Sequence, residues 1–243
     1  MFSNTNSQMP YDGLEIFKGL ELLDTSKCET IDHMFWGAEK LTHVDVGHFN
    51  TKNVTDMRGV FQACHALGNV DIKNWNFDKV TTVASMFAVC ESMTEIDFGD
   101  ATLSNVVNMD SVFASCSSLE ALKIANFNTS KVENMGSMFS RCGKLTILDL
   151  SHFNTEKTTN MFAMFDGCKS LHTLDITSFN TSNVTSMWRM FADCKSLTNI
   201  DLSHFDTNLV TDMYGMFNGC DKLVTVNLSS FDTRNVTNMS GMF

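Results

Sequence analysis

Apolar residues recur along this chain on a fixed beat of 26. Phe35, Phe61, Phe87, Phe113, Phe139, Phe165, Phe191, Phe217 and Phe243 mark it, and no insertion or deletion disturbs the phase. A phase held this strictly means that every unit sits against its neighbour in one geometry, as in a solenoid. Six residues beyond the marker a leucine returns at Leu41, Leu67, Leu119, Leu145, Leu171, Leu197 and Leu223, with Met93 as a substitute of similar volume. Three and five residues after it come apolar pairs such as Val44/Val46, Leu148/Leu150 and Ile200/Leu202, mostly straddling an aspartate. Alternation with period two predicts a short half-buried strand in each unit.

A second Phe follows, as in Phe49, Phe127, Phe153, Phe179, Phe205 and Phe231, and leads into Asn-Thr or Asp-Thr. Asn, Asp, Ser and Thr bond their own backbone, so this stretch predicts a tight corner repeated in every unit. The chain then re-enters the core through residues such as Val184, Met187, Met190 and Phe191. From Val184 to Leu197 the apolar spacing is roughly helical, which makes a helical repeat the competing reading. Across the copies the residues between include Thr, Asn, Ser, Gly and Asp, poor helix formers, so at most one helical turn fits in each unit. The expected fold is therefore a repeat solenoid with short strands and turns. Residues 1–22 read as an N-terminal cap and residues 23–243 as an array of about 8.5 repeats. The array stops at Phe243 within a repeat, which points to a fragment of a longer chain or to an end that docks within an assembly.

Composition fits a folded protein, with 43% hydrophobic and 19% charged residues. The formal charge of -11 argues against a phosphate-binding surface and hence against nucleic acid as a partner. The polar start of the chain has no basic region followed by an apolar one, so it does not read as a secretory leader. No segment has the run of about 18 to 20 apolar residues that crosses a membrane.

The stretch FNTSNVTSMWRMFADCKSLTNIDLS at residues 179–203, with its order of Val-Thr, Met, Met-Phe, Cys, Leu and Leu-Asp-Leu-Ser, closely resembles the BspA-like leucine-rich-repeat surface proteins. The likeness covers residues 23–243, with 23–35 as a degenerate half-copy carrying Cys28 in the valine position. The resemblance implies a parallel β-solenoid of the leucine-rich-repeat type, displayed on a microbial cell surface, where it binds host or matrix proteins. Phe stands where the asparagine ladder of ordinary leucine-rich repeats would run.

Candidate chemistry is set by positions that repeat. Cys64, Cys90, Cys116, Cys142, Cys168, Cys194 and Cys220 share one slot, which Ala38 fills in the first unit. Adjacent units about 4.8 Å apart are within disulfide reach, but in-register side chains point in parallel. The alanine shows that the slot wants a small apolar group, so a core ladder of free thiols is expected. Without any CxxC pair, no zinc site is expected, nor any other cofactor.

Asp45, Asp71, Asp97, Asp149, Asp175 and Asp201 fall on the outward side of the predicted strands, interrupted by Lys123 and Asn227. Closely stacked carboxylates attract cations or basic partners, and this stripe is the candidate binding surface. His48, His152 and His204 share a slot but lie too far apart to hold one metal. The recurrent Asp149-Ser151-His152 and Asp201-Ser203-His204 have the residue types of a catalytic triad but belong to the repeat consensus, so no enzyme is expected. Threonine rows, Thr155/Thr181/Thr207/Thr233 and Thr159/Thr185/Thr211/Thr237, are assigned to turn hydrogen bonding rather than to a flat ice-binding face. Sequons such as Asn53-Val54-Thr55 and Asn183-Val184-Thr185 follow from the repeat. The functional expectation is a protein-binding or adhesion module with a host, matrix or assembly partner. The alternative is a structural spacer in a larger assembly making end-to-end contacts.

Overall fold

The computed structural model describes residues 13–243, so the cap expected over residues 1–22 lies partly outside the described residues. Its described part forms a single 3-10 turn, Leu20–Leu22, beside which Phe17 meets Phe35 edge-on at 5.2 Å. From there the chain winds in coils of 26 residues, here counted from the valine position: 28–53, 54–79, 80–105, 106–131, 132–157, 158–183, 184–209 and 210–235, with a ninth begun at 236.

The core is one continuous column. Each marker Phe stacks on that of the next coil, from Phe35 on Phe61 at 5.5 Å to Phe217 on Phe243 at 5.7 Å. Val184, Met187, Met190 and Phe191, with their counterparts in the second to seventh coils, are buried around the column. Thr158 takes the valine position of the sixth coil and satisfies its buried hydroxyl by donating to the Val132 carbonyl at 3.0 Å.

No helix forms in any coil. The segment from Met57 to Cys64, and its equivalents, is a chain of overlapping four-residue turns, closed by bonds such as Gln62 N–H to Gly59 O and Cys64 N–H to Phe61 O. Left-handed residues at two positions in each coil prevent those turns from propagating as a helix. In the third coil they are Ser85 (φ 55) and Val89 (φ 64), in the fifth Ser137 (φ 51) and Arg141 (φ 60). This alternation aims every second N–H at the next coil. Met57, Gly59, Phe61 and Ala63 donate to Thr82, Ala84, Met86 and Ala88 at 2.8 to 3.1 Å, and the pattern persists along the array. A continuous row of parallel bridges from Thr30↔Asp56 to Asp212↔Asn238 runs beside it. The turn side is thus the bonded spine.

The strand side is less regular than the alternating pattern predicts. Six strands form, β1 Glu95–Asp97, β2 Ala121–Lys123, β3 Ile147–Asp149, β4 Thr173–Asp175, β5 Asn199–Asp201 and β6 Thr225–Asn227, and they pair only as β1-β2, β3-β4 and β5-β6. The first two coils carry the same apolar alternation without a strand. There the Asn69 side chain accepts from the backbone N–H groups of Thr94 and Glu95, at 3.1 and 3.0 Å, in place of a backbone ladder. Within the bonded pairs Asp97 faces Lys123 and Asp201 faces Asn227; only Asp149 faces another carboxylate, Asp175. The Asp175 to Asp201 step carries no strand ladder.

Candidate binding face

Asp97, Asp149, Asp175 and Asp201 of the outward stripe end their strands, while Asp45 and Asp71 lie in the two coils without one. Oδ1 of Asp71, Asp97, Asp149, Asp175 and Asp201 accepts the N–H two residues on, at 2.9 to 3.2 Å, and Asn227 does the same in the eighth coil. These Asx turns account for the near-constancy of the position. Ser151, by its side chain and then its N–H, holds the Asp149 carboxyl below the usual carboxylate range, and Ser203, by its N–H and then its side chain, does the same for Asp201. Asp45, ahead of Gly47, has only His48 Nδ1 nearby, at 3.9 Å.

The stripe is electrostatically divided. Lys123 turns back toward the third coil and meets Asp97 and Glu95 at 2.8 Å each, while Lys73 approaches Asp97 at 3.3 Å. The Lys123 ammonium, then the Gly99 N–H, draw the Asp97 carboxyl down to about 2. Asp97 is therefore a neutralised, half-exposed member of the stripe rather than an open one. Among the described residues, Asp149, Asp175 and Asp201 have no lysine, arginine or histidine within ion-pair distance. They form the free acidic run, across the fifth, sixth and seventh coils.

The triad-like residues are engaged in the scaffold. Asp149 Oδ1 accepts from Ser151 N–H at 2.9 Å, and His152 Nε2 pairs with the Ile124 carbonyl of the preceding coil at 3.0 Å. His48 and His204 make the same bond to Leu20 O and Ile176 O, each with its ring edge-on to the following Phe. Each histidine is thereby a coil-to-coil fastener.

The cysteine ladder is unbridged. Each thiol donates to the carbonyl of the marker Phe one coil back, from Cys64 to Phe35 at 3.1 Å through Cys220 to Phe191 at 3.0 Å. Burial pushes the Cys64 and Cys116 thiols up to about 12. Cys220 departs from the expected pattern in being half-buried, and its thiol is raised only to about 11, again chiefly by burial. Among the described residues no three His, Cys, Asp or Glu are grouped to hold a metal ion.

Both threonine rows bond neighbouring coils. The buried row of Thr25, Thr51, Thr129, Thr155, Thr181 and Thr207 accepts from, and donates to, the backbone of the residue after the next coil's second Phe. It takes the place of an asparagine ladder. The exposed row, with Thr185 and Thr211, donates to the carbonyls of Thr159 and Thr185 at 3.3 Å. The sequon side chains are likewise occupied: Asn53 and Asn183 donate to Ser26 O and Glu156 O.

Where the repeat departs from its own consensus, the surface changes. Ala101 stands in the second-Phe position of the third coil, and Phe98 compensates by packing on Phe77 at 5.5 Å and Phe127 at 5.0 Å. Beside it a cleft of about 540 Å³ opens across the unbonded β2 to β3 step. Ile147, 64% exposed, stands on its wall, an apolar residue that the sequence pattern did not single out. On the spine side, Phe162, Trp188 and Tyr214 form a partly exposed aromatic row, Trp188 stacked on Tyr214 at 6.0 Å. Arg189 lies 5.7 Å from the Trp188 ring centre and bonds Asp166 and Asp193. The signal for this row was three aromatics in a slot otherwise held by Asp32, Arg58, Ala84, Asp110, Gly136 and Ser240.

Comparison with known proteins places this geometry. The profile of a family described as "Mycoplasma protein of unknown function, DUF285" matches residues 1–96, 93–198 and 169–243. The chain belongs to this family. DUF285 is the BspA-like repeat family, so the resemblance read from the repeat holds. No curated protein matches the chain. Among solved structures, a leucine-rich repeat protein from Bacteroides ovatus ATCC 8483 aligns with a TM-score of 0.52 and 17% identity, over 86% of this chain and 57% of that one. A leucine rich cell surface protein from Faecalibacterium prausnitzii A2-165 gives 0.36 and 18%, over 86% and 68%. The Leptospira interrogans LRR protein LIC12759 gives 0.38 and 13%, over 84% and 49%. The DUF285 chain thus spans little more than half of the Bacteroides protein, with which it shares the leucine-rich-repeat solenoid fold. In this DUF285 array the recurrent Thr and His side chains and five of the six stripe aspartates, all but Asp45, bond the scaffold. The outward strand face varies from coil to coil, at His43, Asn69, Glu95, Ala121, Ile147, Thr173, Asn199 and Thr225, as does the spine slot of Phe162, Trp188 and Tyr214.

Proposed function

We propose that this solenoid is a non-enzymatic protein-binding module of the adhesion type, which presents its strand face to a basic surface on a protein partner. The observation that carries the reading is the division of labour among polar positions. Residues repeated in every coil are consumed by the scaffold, while the outward strand positions vary and border three carboxylates without a basic partner. A repeat scaffold binds through such variable surface positions. An acidic face also steers oppositely charged partners and sets salt dependence. The BspA-like kinship supports a cell-surface setting with host or matrix proteins as partners.

The test is retention of purified matrix proteins and of a displayed random-peptide library on the immobilised protein. The double variant Asp175→Lys/Asp201→Lys is expected to weaken the selected binders by about tenfold or more, with steep salt dependence in the wild type. Retention unchanged by the double substitution, or selection of acidic binders, would overturn the reading.

A further inference from the structure

At the β2 to β3 step the strand face is open, charged and apolar together. Three small residues, Gly99, Ala101 and Ala125, leave the space, and Leu122, Ile124 and Ile147 give it apolar walls. Three carboxylates border it, and two are already paired: Asp97 with Lys123 and Lys73, and Glu120 with Lys144 at 3.2 Å. Asp149 is not. Its carboxylate is held by Ser151 alone, and no lysine, arginine or histidine lies within ion-pair distance of it among the described residues. Lys123, the residue that could have neutralised it across the step, is turned toward the third coil.

An occupant must therefore bring a long apolar stem and one positive charge. Resting on the protein-binding reading above, we propose that this cleft receives an arginine side chain from the partner, its stem along Ile124 and Ile147 and its guanidinium on Asp149. Charge complementarity selects a cation over a purely apolar residue, since an apolar group would desolvate Asp149 without pairing it. Arginine is favoured over lysine because its guanidinium is less strongly hydrated and its planar fork matches a carboxylate.

The probe is a set of short blocked peptides, Gly-Ser-X-Ser-Gly, with X as arginine, leucine or glutamate, titrated into the labelled full chain and followed by amide chemical shifts. Arginine is expected to shift amides within residues 122–127 and 147–152, and leucine and glutamate to bind at least about fivefold more weakly. Asp149→Asn keeps the Asx turn, as Asn227 does naturally, and should weaken the arginine peptide by about fivefold or more. Ala125→Leu at an exposed position should abolish the shifts by filling the cleft. Equal binding of leucine and arginine, shifts mapping elsewhere, or indifference to Asp149→Asn would overturn the proposal. If the arginine peptide fails while partner retention still depends on Asp175 and Asp201, the cleft assignment falls and the module reading stands. If the peptide binds as expected and no partner depends on the stripe, the module reading falls alone.

Discussion

Thr155 grips Asn180 of the next coil by both of its backbone groups: its Oγ1 accepts the Asn180 N–H at 2.8 Å and donates to the Asn180 carbonyl at 2.9 Å. One buried hydroxyl thus satisfies a donor and an acceptor at a corner where no backbone ladder reaches.

Replacing Thr155 with valine keeps the shape and removes both bonds. Two backbone groups then lose their partner, at about 1 to 3 kcal/mol each when desolvated, so Thr155→Val should lower stability by about 2 kcal/mol or more. Thr155→Ser keeps the hydroxyl and should cost under about 1 kcal/mol. Urea unfolding midpoints of the three proteins decide it; equal midpoints for valine and serine would show that the hydroxyl does nothing.

Thiol reactivity should divide the eight cysteines. Cys28 and Cys220 are half-buried and the other six are buried, so a thiol reagent at mildly alkaline pH should count two fast groups and release six only on unfolding. The raised thiol values also fix a sign. Between about pH 9 and pH 12 unfolded thiols ionise while folded ones stay protonated, so stability should fall as pH rises through that window. Below the ordinary thiol value of 9.0 the same groups should contribute no pH dependence.

Glycine matters unequally along the array. At Gly99, φ is +60 and an added Cβ would lie 2.7 Å from the Lys73 carbonyl oxygen, which is backbone and cannot swing aside. At Gly215, φ is +58 and the nearest atom is Arg189 Cγ at 3.3 Å, in a position where Ala163 is already accepted. Gly99→Ala should therefore cost about 2 kcal/mol or more and Gly215→Ala about 1, read from thermal midpoints.

Acid should loosen the strand ends. The carboxyls of Asp149 and Asp201 titrate below their ordinary value of 3.8 in the folded chain, so the unfolded state binds protons first as pH falls. Their stabilisation is then present above about pH 4 and is lost below it. The double variant Asp149→Asn/Asp201→Asn retains the turns without the titration, and its stability between about pH 5 and pH 2.5 should be flatter than that of the parent. Parallel pH profiles would remove these turns from the account.

Much of this molecule was legible before any coordinates, because Phe, Met, Leu and Cys recur on one beat and a beat of that kind has one packing solution. The spine was not. Its left-handed positions hold Ser85, Val89, Arg141 and Asp193 as readily as Gly215, so no glycine pattern announces the turns, and the apolar spacing mimics a helix. The stripe of aspartates was found, but its constancy reflects Asx turns. The free run of Asp149, Asp175 and Asp201 emerges only from where Lys123 and Lys73 reach. The cleft had a signal in the sequence, Ala101 in a Phe position, whose consequence depends on how Phe98 swings to fill the gap.

The spine carries one more property. At the turn segment every crossing bond runs the same way, with the earlier coil giving its N–H groups and the later coil its carbonyls, as at Phe113 to Met138 and Phe139 to Met164. Aligned amides add their dipoles, as they do along a helix. At this segment each coil deepens a field directed along the stack, so a cut through it leaves amide hydrogens of the turns on one surface and their carbonyl oxygens on the other. Two such arrays can continue one another in only one sense, and the stack is a vector.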